Sequence, residues 1–147
     1  MPADLNRFVD AQQSVFGHAL AELRAGRKQT HWMWFIFPQL RSLGRSATAR
    51  HFGLAGLADA RAYAAHPLLG PRLVLCSRVL LDLHGRSAHQ IFGSPDDLKL
   101  CSCQTLFERT AADGWPFAAV IDRYFAGVRD PLTVQALDAD AAQPGGT

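Results

Sequence analysis

The sequence contains no apolar run of the roughly 20 residues that a membrane-spanning helix requires. Its first residues lack a charged segment followed by an apolar one, the pattern of a secretory signal. It has only three cysteines, Cys76, Cys101 and Cys103, and an odd number cannot all pair within one chain. We therefore expect a reduced, cytoplasmic protein that does not associate with a membrane.

The motifs of several common enzyme classes are also missing. No Gly-x-x-x-x-Gly-Lys, Gly-x-Ser-x-Gly or Gly-x-Gly-x-x-Gly sequence occurs, so P-loop hydrolysis, the common serine-hydrolase arrangement and Rossmann cofactor binding have no support. No two histidines have the His-x-x-x-His spacing of a local zinc motif, and we predict no bound metal or cofactor. The net charge is only +2 and the arginines are scattered from Arg7 to Arg129, so we do not expect a nucleic-acid partner.

What the sequence does contain is a succession of helical patterns. A chain of 147 residues with 48% hydrophobic and 19% charged residues has the size and composition of one globular domain. The only strand-like segment is residues 34–37, and no strand pattern with hairpin turns is present. We predict an all-α, compact single-domain bundle of six to eight helices over residues 4–138, followed by a disordered tail over residues 139–147. The predicted helices cover residues 5–23, 46–52, 57–65, 67–84, 95–112, 116–126 and 131–137. Asp130 should cap the last of them.

The helix predicted over residues 67–84 should lie at the centre of the bundle. Leu68 to Leu83 is apolar over most of its circumference, which is typical of a buried helix. His66 precedes Pro67, and proline is favoured at the first position of a helix. Gly70-Pro71 leaves open whether the regular part starts only at Pro71.

Residues 31–40 form an uncharged aromatic segment with two tryptophans and two phenylalanines. Each of these rings covers roughly 150–250 Å², so the segment belongs either to the core or to the wall of a pocket. Pro38 should end its local structure, because proline disfavours helix at the preceding residue. His31, Trp34 and Gln39 are its members with the best claim to a binding role, although His31 also fits a polar residue that caps the segment.

The helix that begins near Pro95 carries several groups of chemical interest. Ser94 should cap it, and helical spacing places Lys99 within the more apolar face and Cys101 and Gln104 on the other side. Lys99 either reaches the surface or pairs with Asp96, or it contacts a ligand. Cys103 could act as a nucleophile, but a buried structural cysteine is more common. The hydroxyls at positions 102 and 105 could bind a ligand, or they could bond to the carbonyl one turn earlier.

Four segments in order resemble the bacterial family called domain of unknown function 1810. They run from His31 to Gln39, from His66 to Gly70, from Ile91 to Leu100 and from Thr105 to Phe107. The resemblance extends over residues 5–137 and implies a compact, mainly helical single domain, without an assigned activity. Where the family usually has two serines and a methionine before Thr-Leu-Phe, this chain has Ser102-Cys103-Gln104, which weakens a nucleophilic role for the cysteine. Lys99, Ser102 and Thr105 match the family pattern.

We predict a site for a small anionic ligand of the nucleotide or ADP-ribose type between the aromatic segment and the Pro95 helix. The order of these segments along the chain is also similar to that in helical proteins that process N-glycosidic bonds of ADP-ribose. If the protein is an enzyme, we therefore expect it to hydrolyse such a bond. The alternative is a non-enzymatic helical module whose aromatic segment is core. The predicted roles are base stacking by Trp32 or Trp34, charge recognition by Lys99 and Arg72, further ligand contacts by Gln39, Ser102 and Thr105, and proton transfer by His31 or Asp96.

Overall fold

Helices account for the regular structure of residues 4–141, the part of the chain that the computed structural model describes. Within this range there are ten α-helices, one short 3₁₀ helix at Arg41–Leu43 and one isolated bridge between Leu40 and Leu54. The all-α prediction is confirmed. The helices are α1 (Asn6–Gln12), α2 (Phe16–Arg24), α3 (Met33–Ile36), α4 (Ala47–His51), α5 (Leu57–Ala65), α6 (Leu69–Asp82), α7 (Ala88–Phe92), α8 (Asp96–Glu108), α9 (Phe117–Phe125) and α10 (Pro131–Ala141).

The structure has more α-helices than the predicted six to eight. Two helices were predicted as one, and two short helices were not predicted. The helix predicted over residues 5–23 is divided into α1 and α2. These two helices have different neighbours, because α1 packs on α3 and α2 packs on α6. The segment 34–37, which looked strand-like, lies mostly in the single turn of α3. α7 was not predicted, although Ser87 and Gln90 form a capping box at its start.

α6 and α8 together carry the core. α6 packs against α2, α5 and α9, but Leu75 and Arg78 on its outer face are exposed, so it is buried on one side only. α8 contacts α5, α7, α9 and α10, and all eight residues from Leu100 to Phe107 are buried. The apolar core that these helices share includes residues from Leu5 to Leu137.

The start of α6 shows how the sequence fixes a helix boundary. His66 Nδ1 accepts hydrogen bonds from the backbone N–H groups of Leu68 and Leu69, at 3.1 and 3.2 Å. Gly70 follows, and a Cβ there would lie only 2.1 Å from the carbonyl oxygen of Ala64 in α5. The absence of a side chain at this position therefore lets α5 and α6 pack closely.

The aromatic segment is mostly core. Trp32, Met33, Phe35, Ile36 and Phe37 are buried, whereas Trp34 is half-buried. α3 ends before the residue that precedes Pro38, as the proline predicts.

The C-terminal helix is longer than predicted. Asp130 caps it, as expected, and α10 continues to Ala141. Residues 139–141 of the predicted disordered tail are therefore helical, and residues 142–147 lie outside the described range. None of the described helices has the length and apolarity needed to cross a membrane.

Candidate functional site

A cavity of about 570 Å³ lies between the segment that follows α3 and the helices α8 and α10. This volume falls in the range of roughly 300–1,000 Å³ that small-molecule sites occupy. Its wall combines charged, polar and apolar residues: Arg45, Lys99 and Asp130; Gln39, Ser42, Ser46 and Ser102; and Leu43, Pro95, Leu98 and Leu132.

The backbone from Gln39 to Ser46 forms one wall of this cavity. Leu54 N donates to Gln39 O at 3.0 Å, and Arg41 N donates to Leu54 O at 2.7 Å, which fixes the start of the segment. Ser46 Oγ accepts from Ala49 N at 3.0 Å and so begins α4, as the sequence predicts.

Lys99 lies at the junction between the aromatic segment and the cavity. Its Nζ is 3.7 Å from Asp96 Oδ1 and 5.8 Å from the centroid of the Trp34 ring. It also lines the cavity. The two alternatives that the sequence left open are thus compatible, because Lys99 pairs with Asp96 and still borders the space that a ligand could fill.

Asp96 connects Lys99 to a second, less exposed lysine. Lys28 Nζ lies 2.8 Å from Asp96 Oδ2, and the Lys28 side chain is only 7% exposed. The same ammonium group lies 5.1 Å from the centroid of the Trp32 ring. Each carboxylate oxygen of Asp96 therefore faces a lysine. Each lysine ammonium group also lies near the face of a tryptophan ring, which attracts it electrostatically.

Glu22 holds the loop that brings Lys28 to this network. Its carboxylate accepts hydrogen bonds from Gln29 N at 2.7 Å, Thr30 N at 3.0 Å, Thr30 Oγ1 at 2.6 Å and Trp32 Nε1 at 2.9 Å. Partial burial raises the pKa of Glu22, but these hydrogen bonds outweigh it and lower the pKa to about 2. The spacing of Glu22 and Trp32 gave no signal of this contact in the sequence.

Two predicted ligand residues on α8 have structural partners. Ser102 Oγ donates to Leu98 O at 3.2 Å, which is the bond one turn back, and Ser102 also lines the cavity. Thr105 is buried, and its Oγ1 accepts from Asp130 N at 3.0 Å. Thr105 thus fixes the position of Asp130 rather than lining the cavity itself.

The predicted aromatic and proton-transfer residues do not line the cavity. Trp34 borders a small crevice that it shares with Gln39 and Lys99. Trp32 is fully buried and its indole N–H bonds to Glu22, so base stacking by Trp32 does not fit this packing. His31 is exposed, with its ring centroid 6.5 Å from that of Trp34.

Arg72 is not brought together with Lys99. Its guanidinium carbon lies 4.5 Å from the centroid of the Phe16 ring, and its Nη1 donates to Gln12 Oε1 at 3.3 Å. Gln12 in turn donates to Phe35 O at 2.6 Å. Arg72 therefore belongs to a structural contact between α6 and α1. The arginine that does line the cavity is Arg45, which the sequence analysis did not single out.

The three cysteines are buried free thiols. Burial raises the pKa of Cys76 to about 12, and it also raises the pKa values of Cys101 and Cys103. A thiol that stays protonated at neutral pH is a poor nucleophile, so the environment of Cys103 favours the structural interpretation.

Asp130 and the wall from Ser42 to Ser46 are the site residues that sequence reasoning missed. Asp130 was identified only as a helix cap. This wall has glycine, arginine and two serines among its five residues, a composition that could have marked a polar loop. A Cβ on Gly44 would lie 3.0 Å from the backbone of Ala49, so a side chain there would disturb the contact with α4.

Within residues 4–141, no three histidine, cysteine or carboxylate side chains cluster as a metal site. A comparison with curated proteins gives no match. Among solved structures, the chain is similar to the conserved hypothetical protein Rv1873 from Mycobacterium tuberculosis, with 50% sequence identity and a TM-score of 0.92 over 94% of this chain and 99% of that one. Residues 2–137 match the family described as protein of unknown function (DUF1810). The chain therefore belongs to the DUF1810 family.

Proposed function

We propose that the protein binds a small anionic ligand of the nucleotide or ADP-ribose type in the cavity between the 39–46 segment and helices α8 and α10. The observation that carries this proposal is that Lys99 and Arg45 both line one cavity of about 570 Å³. Two cations in one concave site favour a negatively charged ligand, because the surrounding protein lowers the dielectric screening between them and the ligand.

The remaining lining supports a ligand that also has an apolar or planar part. Leu98 and Leu132 are 62% and 56% exposed, although large apolar side chains are usually more buried. Both line the cavity, together with Leu43. A purine base or a similar ring would cover these side chains, while Ser42, Ser46 and Gln39 offer hydrogen bonds to its polar edges.

The proposal is for binding, without catalysis by His31 or Asp96. Neither residue lines the cavity, and both carboxylate oxygens of Asp96 face lysines. A proton donor for cleavage of an N-glycosidic bond has to lie within hydrogen-bond reach of the bond. The same cavity could nevertheless hold an ADP-ribose derivative as a bound ligand.

Calorimetric titration with adenosine 5′-monophosphate and with ADP-ribose tests this proposal. We expect saturable binding by the wild-type protein and at least a roughly tenfold loss of affinity in Lys99→Gln, because one charge-assisted hydrogen bond contributes about 1.5–3 kcal/mol. Arg45→Gln should weaken binding in the same direction. Its exposed side chain makes the variant a safe second test if Lys99→Gln folds poorly.

Arg50→Gln is the matched control. Arg50 is exposed and lies on α4, close to Arg45 in sequence, but it does not line the cavity. It removes the same charge and should leave affinity unchanged. If neither nucleotide binds the folded wild-type protein, or if Arg50→Gln weakens binding as much as Arg45→Gln, the pocket proposal is wrong and the alternative of a non-enzymatic helical module takes its place.

A further inference from the structure

Asp130 adds a negative charge to the lining of the cavity. It lines the cavity, and it makes no ion pair with Lys99 or Arg45. Its backbone N–H is held by Thr105 Oγ1 at 3.0 Å, and Oδ2 accepts from Thr133 N at 3.0 Å and Thr133 Oγ1 at 2.5 Å. Thr105 and Thr133 are both buried, so one buried threonine fixes the backbone of Asp130 and another fixes its carboxylate.

The two oxygens of Asp130 differ in what they can still accept. Oδ2 already receives two hydrogen bonds from Thr133, whereas Oδ1 has no hydrogen-bond partner among residues 4–141. An ionised carboxylate oxygen is an acceptor only, and each oxygen can accept about two hydrogen bonds. Oδ1 therefore keeps its capacity to accept hydrogen bonds, and the charge of the carboxylate disfavours a second anionic group close to it.

We infer that Asp130 recognises the ribose hydroxyls of the ligand, so that the cavity takes ribonucleotides in preference to their deoxy counterparts. This inference rests on the proposed function, since it places the phosphate near Lys99 and Arg45. A ligand with its anionic group at those cations then directs a part with donors toward Asp130. Neighbouring sugar hydroxyls supply two donors to one oxygen, and a charge-assisted O–H···O⁻ bond is among the stronger hydrogen bonds in proteins.

Asp130→Asn isolates this contact because asparagine caps a helix about as well as aspartate. Its amide oxygen can replace Oδ2 in the bonds from Thr133, which leaves the NH₂ group on the side of the ligand. The substitution thus replaces the hydrogen-bond acceptor Oδ1 by a hydrogen-bond donor, while residue 130 still caps α10. An unchanged thermal midpoint of the free variant would show that the cap is intact.

The measurement compares adenosine 5′-monophosphate with its 2′,3′-dideoxy counterpart by calorimetry on wild type and Asp130→Asn. The two probes share base and phosphate charge, so they differ only in the hydroxyl groups. We expect the wild type to bind the ribonucleotide at least about tenfold more tightly. Asp130→Asn should abolish that preference, with no loss of affinity for the dideoxy probe.

The outcomes separate this inference from the proposed function. If both probes bind the wild type equally and Lys99→Gln weakens both, the cavity binds nucleotides but Asp130 does not read the ribose, and the inference is wrong. If a ribose preference is present and survives in Asp130→Asn, it arises elsewhere and the inference is also wrong. If neither probe binds the wild type, the proposed function fails and this inference fails with it.

Discussion

Replacement of Asp96 by asparagine should destabilise the protein because it leaves a nearly buried ammonium group without its counter-charge. Lys28 Nζ lies 2.8 Å from Asp96 Oδ2, and its side chain is 7% exposed. No other carboxylate within residues 4–141 pairs with Lys28. Removing one partner of a fully buried ion pair typically costs about 3–5 kcal/mol. The Asp96 side chain is 21% exposed, so solvent screening should reduce the cost to about 2–3 kcal/mol.

Asp97→Asn is the matched control for this prediction. Both residues lie in the first turn of α8, so each substitution removes one negative charge from the same helix end. Asp97 faces His89 at 3.4 Å, and the His89 side chain is 68% exposed. An exposed pair of this kind contributes roughly 0–1 kcal/mol. The two variants should therefore differ by about 2 kcal/mol.

Urea unfolding at pH 7 measures this difference directly. In addition, Lys28→Met combined with Asp96→Asn should be more stable than Asp96→Asn alone, because the double variant no longer holds an unpaired ammonium group. Equal free energies of unfolding for Asp96→Asn and Asp97→Asn would refute the reasoning that Asp96 supports a buried lysine.

Three further predictions concern other parts of the fold. Glu22→Gln should lower the free energy of unfolding at pH 7 by about 1 kcal/mol, a figure discounted because the carboxylate is partly exposed. The pKa of Glu22 is depressed to about 2 in the folded state, against about 4.3 in the unfolded chain. The difference in free energy of unfolding between wild type and Glu22→Gln, measured in urea, should therefore shrink as the pH falls from about 4.3 toward 2. A difference that does not change with pH would contradict this prediction. Cys76 and Cys103 should resist alkylation at pH 8 in the native state and react in urea, because both thiols are buried and their pKa values are raised; rapid native labelling would overturn this. Gly70→Ala should destabilise the protein by more than about 2 kcal/mol, because its Cβ would lie 2.1 Å from a carbonyl oxygen of α5. Gly17→Ala should instead stabilise α2 by about 0.5 kcal/mol, because the new Cβ would have nothing within 4 Å. Thermal unfolding of the two variants measures this contrast.

Much of the helical fold could be predicted from local signals. α5 begins and ends where the pattern predicted, and Ser46 and Asp130 cap α4 and α10 through their side chains. These boundaries depend on interactions within one turn of the chain, which a sequence displays directly. The predicted Ser94 cap of α8 was wrong, since that helix starts after Pro95 without a side-chain cap.

The tertiary partners could not be predicted in the same way. Helical spacing placed Gln104 and Cys101 away from the apolar face of α8, but neighbouring helices cover that side as well and both residues are buried. The buried amide of Gln104 donates to Ser77 Oγ at 3.2 Å, a contact across 27 positions of sequence. Such contacts depend on how helices cross, and the periodicity of one helix does not contain that information.

Only some of the residues that the sequence assigned to one site lie together in the fold. Lys99, Gln39 and Ser102 line one cavity. Arg72 was grouped with them on charge alone, and the fold carries it to a contact with Gln12 instead. Arg45, on the segment after α3, lines the cavity instead, and the bridge between Leu40 and Leu54 fixes the start of that segment.

The proposed function requires that an anionic nucleotide binds in the cavity lined by Lys99 and Arg45. Titration of the ¹⁵N-labelled protein with adenosine 5′-monophosphate, followed by two-dimensional NMR, tests where binding occurs. We expect saturable shifts of the amide signals of residues 42–46, 98–102, 130 and 132, with little change in the groove beside Arg24 and Arg78 on α2 and α6. Saturable shifts confined to that groove, or no saturable shift at all, would contradict the proposed function.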